Sequence, residues 1–207
     1  MGNNKSSIAI LGGSFNPVHS GHLAMARAAH DFASTDVILM PNKTTYYKET
    51  KPFVADQHRI GMLQAAIKGF PYMRISLMEI ERGGITHTID TIRAFKEEYP
   101  LRTVYFIIGG DSLEWVDRWV DADELLQKTY FLVAIRGKTD RLRSLEIIER
   151  IKSEHPDSNM SLLTTDNIPI SSTDIRERIR LGESIKGLVP EGVEEYIYTN
   201  NLYKEVK

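Results

Sequence analysis

Ile8-Ala9-Ile10-Leu11-Gly12-Gly13-Ser14-Phe15-Asn16-Pro17-Val18-His19-Ser20-Gly21-His22 decides how this chain folds. The first four residues are apolar and two are β-branched, and glycines end the run, so the stretch predicts a buried strand. Beyond the loop, Met25, Ala29 and Phe32 recur at helical spacing. A strand, a glycine turn and a helix start together make an anion site, because unbonded N–H groups and the positive helix end face one point. The loop lacks Gly-Lys-Ser/Thr and lacks Gly-x-Gly-x-x-Gly, so it is neither a Walker A loop nor a dinucleotide fingerprint. It carries His19 and His22 instead, spaced to project to one side of a helix, with Gly21 between them predicting room for a ligand against the backbone. Two isolated histidines at a helix start are more often capping or core residues. A metal pair needs a third ligand, and no Cys or His-Glu-x-x-His accompanies them. The strand, double glycine, proline and paired imidazoles in one loop favour phosphate.

Outward from this loop, strands and helices alternate. Asp36 to Met40 is a short apolar run closed by Pro41, and Asp56 is placed to cap a helix carrying Ile60, Leu63 and Ile67 on one face. Met73, Ile75 and Leu77 alternate as in a strand; Ile89, Ile92 and Phe95 return to helical spacing. Thr103 to Ile108 predicts a strand that ends at a second glycine pair, Gly109-Gly110. Asp121 opens a short acidic helix through Leu126, and Tyr130 to Ile135 reads as a strand. Leu145, Ile148 and Ile151 mark a helix, and Met160 to Leu163 a last strand. This order predicts an α/β fold, a doubly wound parallel sheet with crossover helices on both faces. Residues 1–169 form that domain. Residues 170–207 read as a small helical C-terminal segment packed on it, with Ile175 and Ile179 in one helix and Val193 and Ile197 in another. Ligands in such sheets sit at the carboxyl ends of the strands, where both glycine pairs fall.

Composition narrows the function classes. The chain has 207 residues, 42% hydrophobic and 26% charged, which suits a globular unit able to bury a core unaided. There is no cysteine, so disulfides, thiolate metal sites and a Cys nucleophile are excluded, and a reducing compartment fits. A net charge of −2 gives no basic field for nucleic acid or membrane, and no basic recognition helix points to DNA. The apolar run at the start is too short for a signal peptide or a membrane span, so a cytoplasmic protein is expected. The sequence leaves both a monomer and a homo-oligomer open.

A second segment, Pro169-Ile170-Ser171-Ser172-Thr173-Asp174-Ile175-Arg176, follows the last strand. Ser172 or Thr173 is a natural N-cap for the next helix. Arg176 falls in the first turn, where a cation is unfavourable beside the positive helix end unless an anion joins it. An ordinary cap with a solvated arginine is the equal alternative; Arg178 and Arg180 read as a solvated face.

With these residues in view, His19-Ser20-Gly21-His22 resembles the signature of the nucleotidylyltransferase superfamily, and Ile170 to Arg176 resembles its ISSTxIR motif. Glu79-Ile80-Glu81-Arg82-Gly83, Thr88-Ile89-Asp90-Thr91, Ile107 to Leu113, Trp119, Leu188-Val189-Pro190 and Tyr196-Ile197 are similar to stretches of nicotinate-nucleotide adenylyltransferases. The resemblance spans Ile8 to Tyr203 and implies a Rossmann-like nucleotidyltransferase fold. It implies that ATP and nicotinate mononucleotide are joined to give nicotinate adenine dinucleotide and pyrophosphate, in NAD biosynthesis, with Mg2+ accompanying ATP and no dedicated protein metal site. In that resemblance His19, His22, Lys48 and Arg176 are catalytic. Gly12, Gly13, Ser14, Phe15, Gly21, Gly109, Asp111, Ser171, Ser172 and Thr173 hold ATP. Asn16, Thr86, His87, Thr88, Trp119 and Arg136 hold the pyridine mononucleotide. Asp111 suits ribose hydroxyls and Trp119 suits stacking on a charged ring, although beside Trp115 it is equally a core aromatic. Two departures stand out. Thr45-Tyr46-Tyr47-Lys48 replaces the family's Pro-Pro-His-Lys, and His87 replaces the tyrosine of its Ser-Tyr-Thr. They bear on the acceptor, so transfer to nicotinamide mononucleotide stays an alternative, with phosphopantetheine ranked below it. A non-catalytic nucleotide-binding regulator is the alternative of another class, disfavoured because His19, His22 and Lys48 are all present.

Overall fold

The structure, a computed structural model, describes residues 6–43, 54–135, 137–165 and 170–204, with the side chains of 137–139 left aside. Six parallel strands make one sheet: β1 (Ser7–Gly13), β2 (Val37–Pro41), β3 (Met73–Ile75), β4 (Thr103–Gly109), β5 (Tyr130–Ile135) and β6 (Asn159–Thr164). Their spatial order is β3-β2-β1-β4-β5-β6. The chain winds outward in both directions from β1 and β4, so the strand order reverses between those two, the place where such sheets open a crevice for ligands. Register puts Leu11 beside both Leu39 and Ile107, and Ile107 beside Leu132.

Period-two alternation along the strands builds two cores. Ala9, Leu11, Leu39, Ile107, Leu132 and Leu163 face one side. There they meet α1 (Ser20–Ala33), α2 (Asp56–Ala66), α8 (Ser172–Arg180) and α9 (Glu191–Thr199). Ile10, Phe106, Ile108, Phe131, Val133 and Ile135 face the other. There they meet α4 (Thr88–Glu98), α6 (Ala122–Lys128) and α7 (Gly137–Glu154). Two short helices, α3 (Met78–Arg82) and α5 (Gly110–Leu113), and a 3-10 turn (Val116–Arg118) complete the described elements. The doubly wound sheet and the two C-terminal helices are as the sequence predicts.

Four local expectations change. The third strand stops at Ile75 instead of reaching Leu77. As an edge strand it pairs only with β2, and after Ser76 N–H donates to Leu39 O at 3.2 Å the Ser76 hydroxyl accepts from Met78 N–H at 3.3 Å and turns the chain into α3. Asp56 does not cap α2: Ala55 holds that position, and the Asp56 carboxylate instead accepts from Lys43 and Arg59. The buried face of α2 is Arg59, Met62, Leu63 and Ala66, with Ile60 and Ile67 half-buried. Asp121 opens α6 as expected, from the N-cap position at φ 51° with its carboxylate accepting from Arg93 at 2.8 Å, but the helix runs on to Lys128 instead of ending at Leu126. At α8 the cap is Ser171, not Ser172 or Thr173, because Asp174 closes a reciprocal capping box with it.

Candidate active site

The loop with the paired histidines leaves β1 at Gly13 and enters α1 at Ser20. His19 is its N-cap residue, in extended conformation, and His22 is the third residue of the helix. The His19 backbone N–H donates to His22 Nδ1 at 3.2 Å. An accepting Nδ1 leaves the proton of the neutral ring on Nε2, pointing away from the helix end. The two rings stack with centroids 3.7 Å apart, and Phe15 meets His22 edge-on at 5.0 Å. A Cβ on Gly21 would lie 3.1 Å from His19 Nδ1. The absence of a Cβ at Gly21 thus leaves room for the His19 ring, while Gly21 also lines a cavity. Phe15 is fully buried at φ 46°, an unfavourable conformation for an aromatic residue that the surroundings must enforce.

The second segment meets the first, although the two lie far apart in the chain. Ser172 Oγ donates to Pro17 O at 2.9 Å, and Arg176 donates to Asn16 O at 2.7 Å and to Thr173 Oγ1 at 3.1 Å. Burial lowers the Arg176 pKa from its ordinary value, with Tyr203 acting in the opposite direction; the group stays cationic at any working pH. Tyr203 OH donates to Asn16 Oδ1 at 2.8 Å, so Asn16, 2% exposed, is held on backbone and side chain at once. Burial pushes the Tyr203 hydroxyl well above its usual range, and it remains a neutral donor.

Gly21, Gly109 and Asp111 line one cavity of about 280 Å3 at the carboxyl ends of β4 and β5, with Glu114, Ala134 and Arg143 around them. Asp111 is exposed there, and Arg143 and Glu114 pair at 2.7 Å. A larger recess of about 540 Å3 between α1 and edge strand β6 is lined by Ser20, Arg27, Asp31 and Thr165 and holds none of the residues expected to bind ATP or the mononucleotide. Gly12 and Gly13 close β1, where a Cβ would press on Phe106 at 3.2 Å and on Phe15 at 3.3 Å; they serve packing at the loop's root.

Thr86, His87 and Thr88 stand at the start of α4, across the sheet from α1. The Thr86 hydroxyl is buried with no hydrogen-bond partner among the described residues. His87 holds the N-cap position, so free α4 N–H groups open beside it. Trp119 packs half-buried on the same side, its ring 6.5 Å from Phe131, whereas Trp115 is 54% exposed under Arg118. Lys48 and Arg136 lie outside the described residues. Sequence reasoning missed Arg59 and Tyr203. The signal for Arg59 was present: a basic residue sits in the helical stripe with Met62, Leu63 and Ala66, three residues after an aspartate.

Residues 10–178 match the family described as cytidylyltransferase-like. A probable nicotinate-nucleotide adenylyltransferase of Thermoanaerobacter sp. (strain X514) is 38% identical over 200 residues, covering 96% of this chain and 94% of its own. One from Lachnoclostridium phytofermentans is 33% identical over 197 residues, covering 95% and 98%. Among solved structures, Plasmodium falciparum nicotinic acid mononucleotide adenylyltransferase complexed with NaAD superposes with a TM-score of 0.74 at 23% identity, covering 95% of this chain and 97% of that one. That likeness bears on the fold, while the bacterial relatives carry the family: the chain belongs to the cytidylyltransferase-like family and, within it, to the nicotinate-nucleotide adenylyltransferases.

Proposed function

We propose that the chain transfers the adenylyl group of ATP to nicotinate mononucleotide, giving nicotinate adenine dinucleotide and pyrophosphate, in the cytoplasm. The observation that carries the reading is the joining of two anion-suited segments. Ser172 and Arg176 bond to Pro17 and Asn16, and so bring the start of α8 to the paired histidines at the start of α1.

In the proposed reaction an oxygen of the mononucleotide phosphate attacks the α-phosphorus of ATP in line. The bond from that phosphorus to the pyrophosphate oxygen breaks, and the electron pair leaves with pyrophosphate. No protein nucleophile is required, and catalysis is positioning plus stabilisation of charge. His22 offers Nε2–H, since its Nδ1 is engaged by the helix start. His19 lies stacked against it, and Lys48, with Arg176, adds positive charge near the phosphates. Ser171, Ser172 and Thr173 supply hydroxyls at a second helix N-terminus. Mg2+ bound with ATP would supply neutralisation of phosphate charge, beside the imidazoles of His19 and His22 and the guanidinium of Arg176. The α4 N-terminus with Thr86, His87 and Thr88 suits the nicotinate carboxylate, and Trp119 and Arg136 border the pyridine ring.

The test is pyrophosphate release from ATP with nicotinate mononucleotide, nicotinamide mononucleotide and phosphopantetheine offered in turn. Nicotinate mononucleotide is expected to give the highest kcat/KM, by about tenfold or more over the amide, the worth of roughly one charged hydrogen bond. No release with any acceptor sinks the enzyme reading; preference for another acceptor sinks the substrate.

A further inference from the structure

Among the described residues the bulkiest fully buried side chain is Arg59, 1% exposed. It lies on α2, outside both phosphate motifs. Nη1 donates to Ser14 O at 2.8 Å; Nη2 donates to Asn42 O at 2.7 Å and to Asp56 Oδ1 at 2.6 Å. Asp56 Oδ2 in turn accepts from Lys43 at 2.5 Å, and Asn42 N–H donates to Gly13 O at 3.0 Å. The guanidinium thus bridges the residues that follow two neighbouring strands, β1 and β2.

Burying an arginine is costly, and apolar residues of similar volume often stabilise a core as well as a buried ion pair does. Fold stability alone is therefore a weak reason for a cation here. An apolar side chain cannot fix two carbonyl oxygens in one plane, and a planar fork can. In a trans peptide the carbonyl and the following N–H point in opposite directions. Holding Ser14 O toward α2 turns the Phe15 N–H away from α2. Holding Gly13 O through Asn42 does the same for the Ser14 N–H. Both N–H groups belong to the loop that faces the histidines.

We infer that Arg59 is a positioning residue for adenylyl transfer: from behind the loop it sets the direction of the Phe15 N–H, and with Asn42 that of the Ser14 N–H, toward the substrate phosphates. This rests on the proposed reaction. Asp56 is the counter-charge that holds the fork in plane.

Steady-state kinetics of Arg59→Lys test it, with melting temperature measured on the same preparation. Lysine keeps the charge and one donor direction but not the fork. The expected result is a kcat lowered about tenfold to a hundredfold, as a misplacement of about 1 Å costs, with KM for the mononucleotide changed less than about threefold. A kcat per folded molecule equal to wild type, with only the melting temperature lowered, overturns the inference and makes Arg59 a packing residue. Should Arg59→Lys fail to fold, Asp56→Asn decides. Asp56 is half-exposed, and the variant keeps Arg59 while releasing its plane, so kcat should fall about threefold or more and KM should hold. An unchanged kcat in Asp56→Asn overturns the inference. Failure of the reaction itself is recognised separately, as wild-type protein that releases no pyrophosphate.

Discussion

Two buried side chains, Arg59 at the proposed phosphate corner and Glu79 at the proposed acceptor corner, are treated differently. Arg59, 1% exposed, sits behind the phosphate loop with two backbone carbonyls and a carboxylate around it. Glu79, 3% exposed, sits behind the start of α4, where Thr91 Oγ1 donates to it at 2.6 Å and Arg82 reaches that same hydroxyl at 3.3 Å. Two backbone carbonyls and the Asp56 carboxylate accept from the cation. The anion accepts from the Thr91 hydroxyl, and burial still raises the Glu79 pKa above its ordinary value, with the Thr91 bond and the Arg82 charge only partly opposing this. Each corner also keeps a buried polar atom without a hydrogen-bond partner among the described residues, Asn42 Oδ1 in the first and the Thr86 hydroxyl in the second. Under the proposed reaction the contrast concentrates hydrogen-bonded support behind the phosphates, in the geometry common to adenylyl transfer, ahead of the geometry that selects the acceptor.

The largest effect that could break this contrast is at His22. Its ring is fixed by its own helix start, by stacking on His19 and by the edge-on contact with Phe15, so it is a preorganised donor. His22→Ala should lower kcat about a hundredfold or more, the usual loss for one donor aimed at developing charge, with the melting temperature little changed. Full activity in that variant, measured by pyrophosphate release, removes the electrostatic role of the phosphate corner.

A smaller effect is expected at Tyr203, which ties the C-terminal end of the described chain to the loop. Tyr203→Phe leaves Asn16 Oδ1, in a residue 2% exposed, without its donor. The expected cost is about 1–3 kcal/mol of unfolding free energy, read from urea denaturation. If stability is unchanged, the tail is not part of the support behind the loop.

These two residues also mark what was legible in the sequence. His22 stands in a contiguous motif whose strand, glycines and helix start are all visible in one dimension. The alternation of strands and helices is equally visible, because period-two and period-3.6 burial survive in a single chain. Tyr203 and Arg59 act across the fold, on Asn16 and on Ser14 with Asn42, and nothing local marks such partners beyond a polar residue in an apolar stripe. The cap at α8 was misplaced by one residue because three hydroxyls in a row are equivalent until Asp174 chooses Ser171. Asp56 reads as a cap because an aspartate at a helix start suits one, whereas its carboxylate is drawn to Lys43, in the loop after β2, and to Arg59, one turn along α2.

The smallest predicted effect sharpens the comparison from the acceptor side. Glu79 ionises less readily folded than unfolded, so between its ordinary pKa of 4.5 and its raised folded value the native state binds more protons than the unfolded state. The unfolding free energy therefore falls as pH rises through that window, and the deficit persists above it. Asp56 has the opposite sign. Burial alone would raise its pKa, but the bonds and charges of Lys43 and Arg59 outweigh burial and hold it below its ordinary 3.8. Its contribution is present at neutral pH and is lost as pH falls through the lowered value. Glu79→Gln keeps an oxygen for Thr91 and cannot ionise, so relative to wild type it should gain stability as pH rises from about 4 to 7, whereas Asp56→Asn should lose stability relative to wild type as pH rises from the lowered Asp56 value to about 4. Thermal melts of both variants across the two windows check the signs. A Glu79→Gln difference that does not vary with pH means the buried carboxyl is as well compensated as Arg59, and the two corners are then built alike.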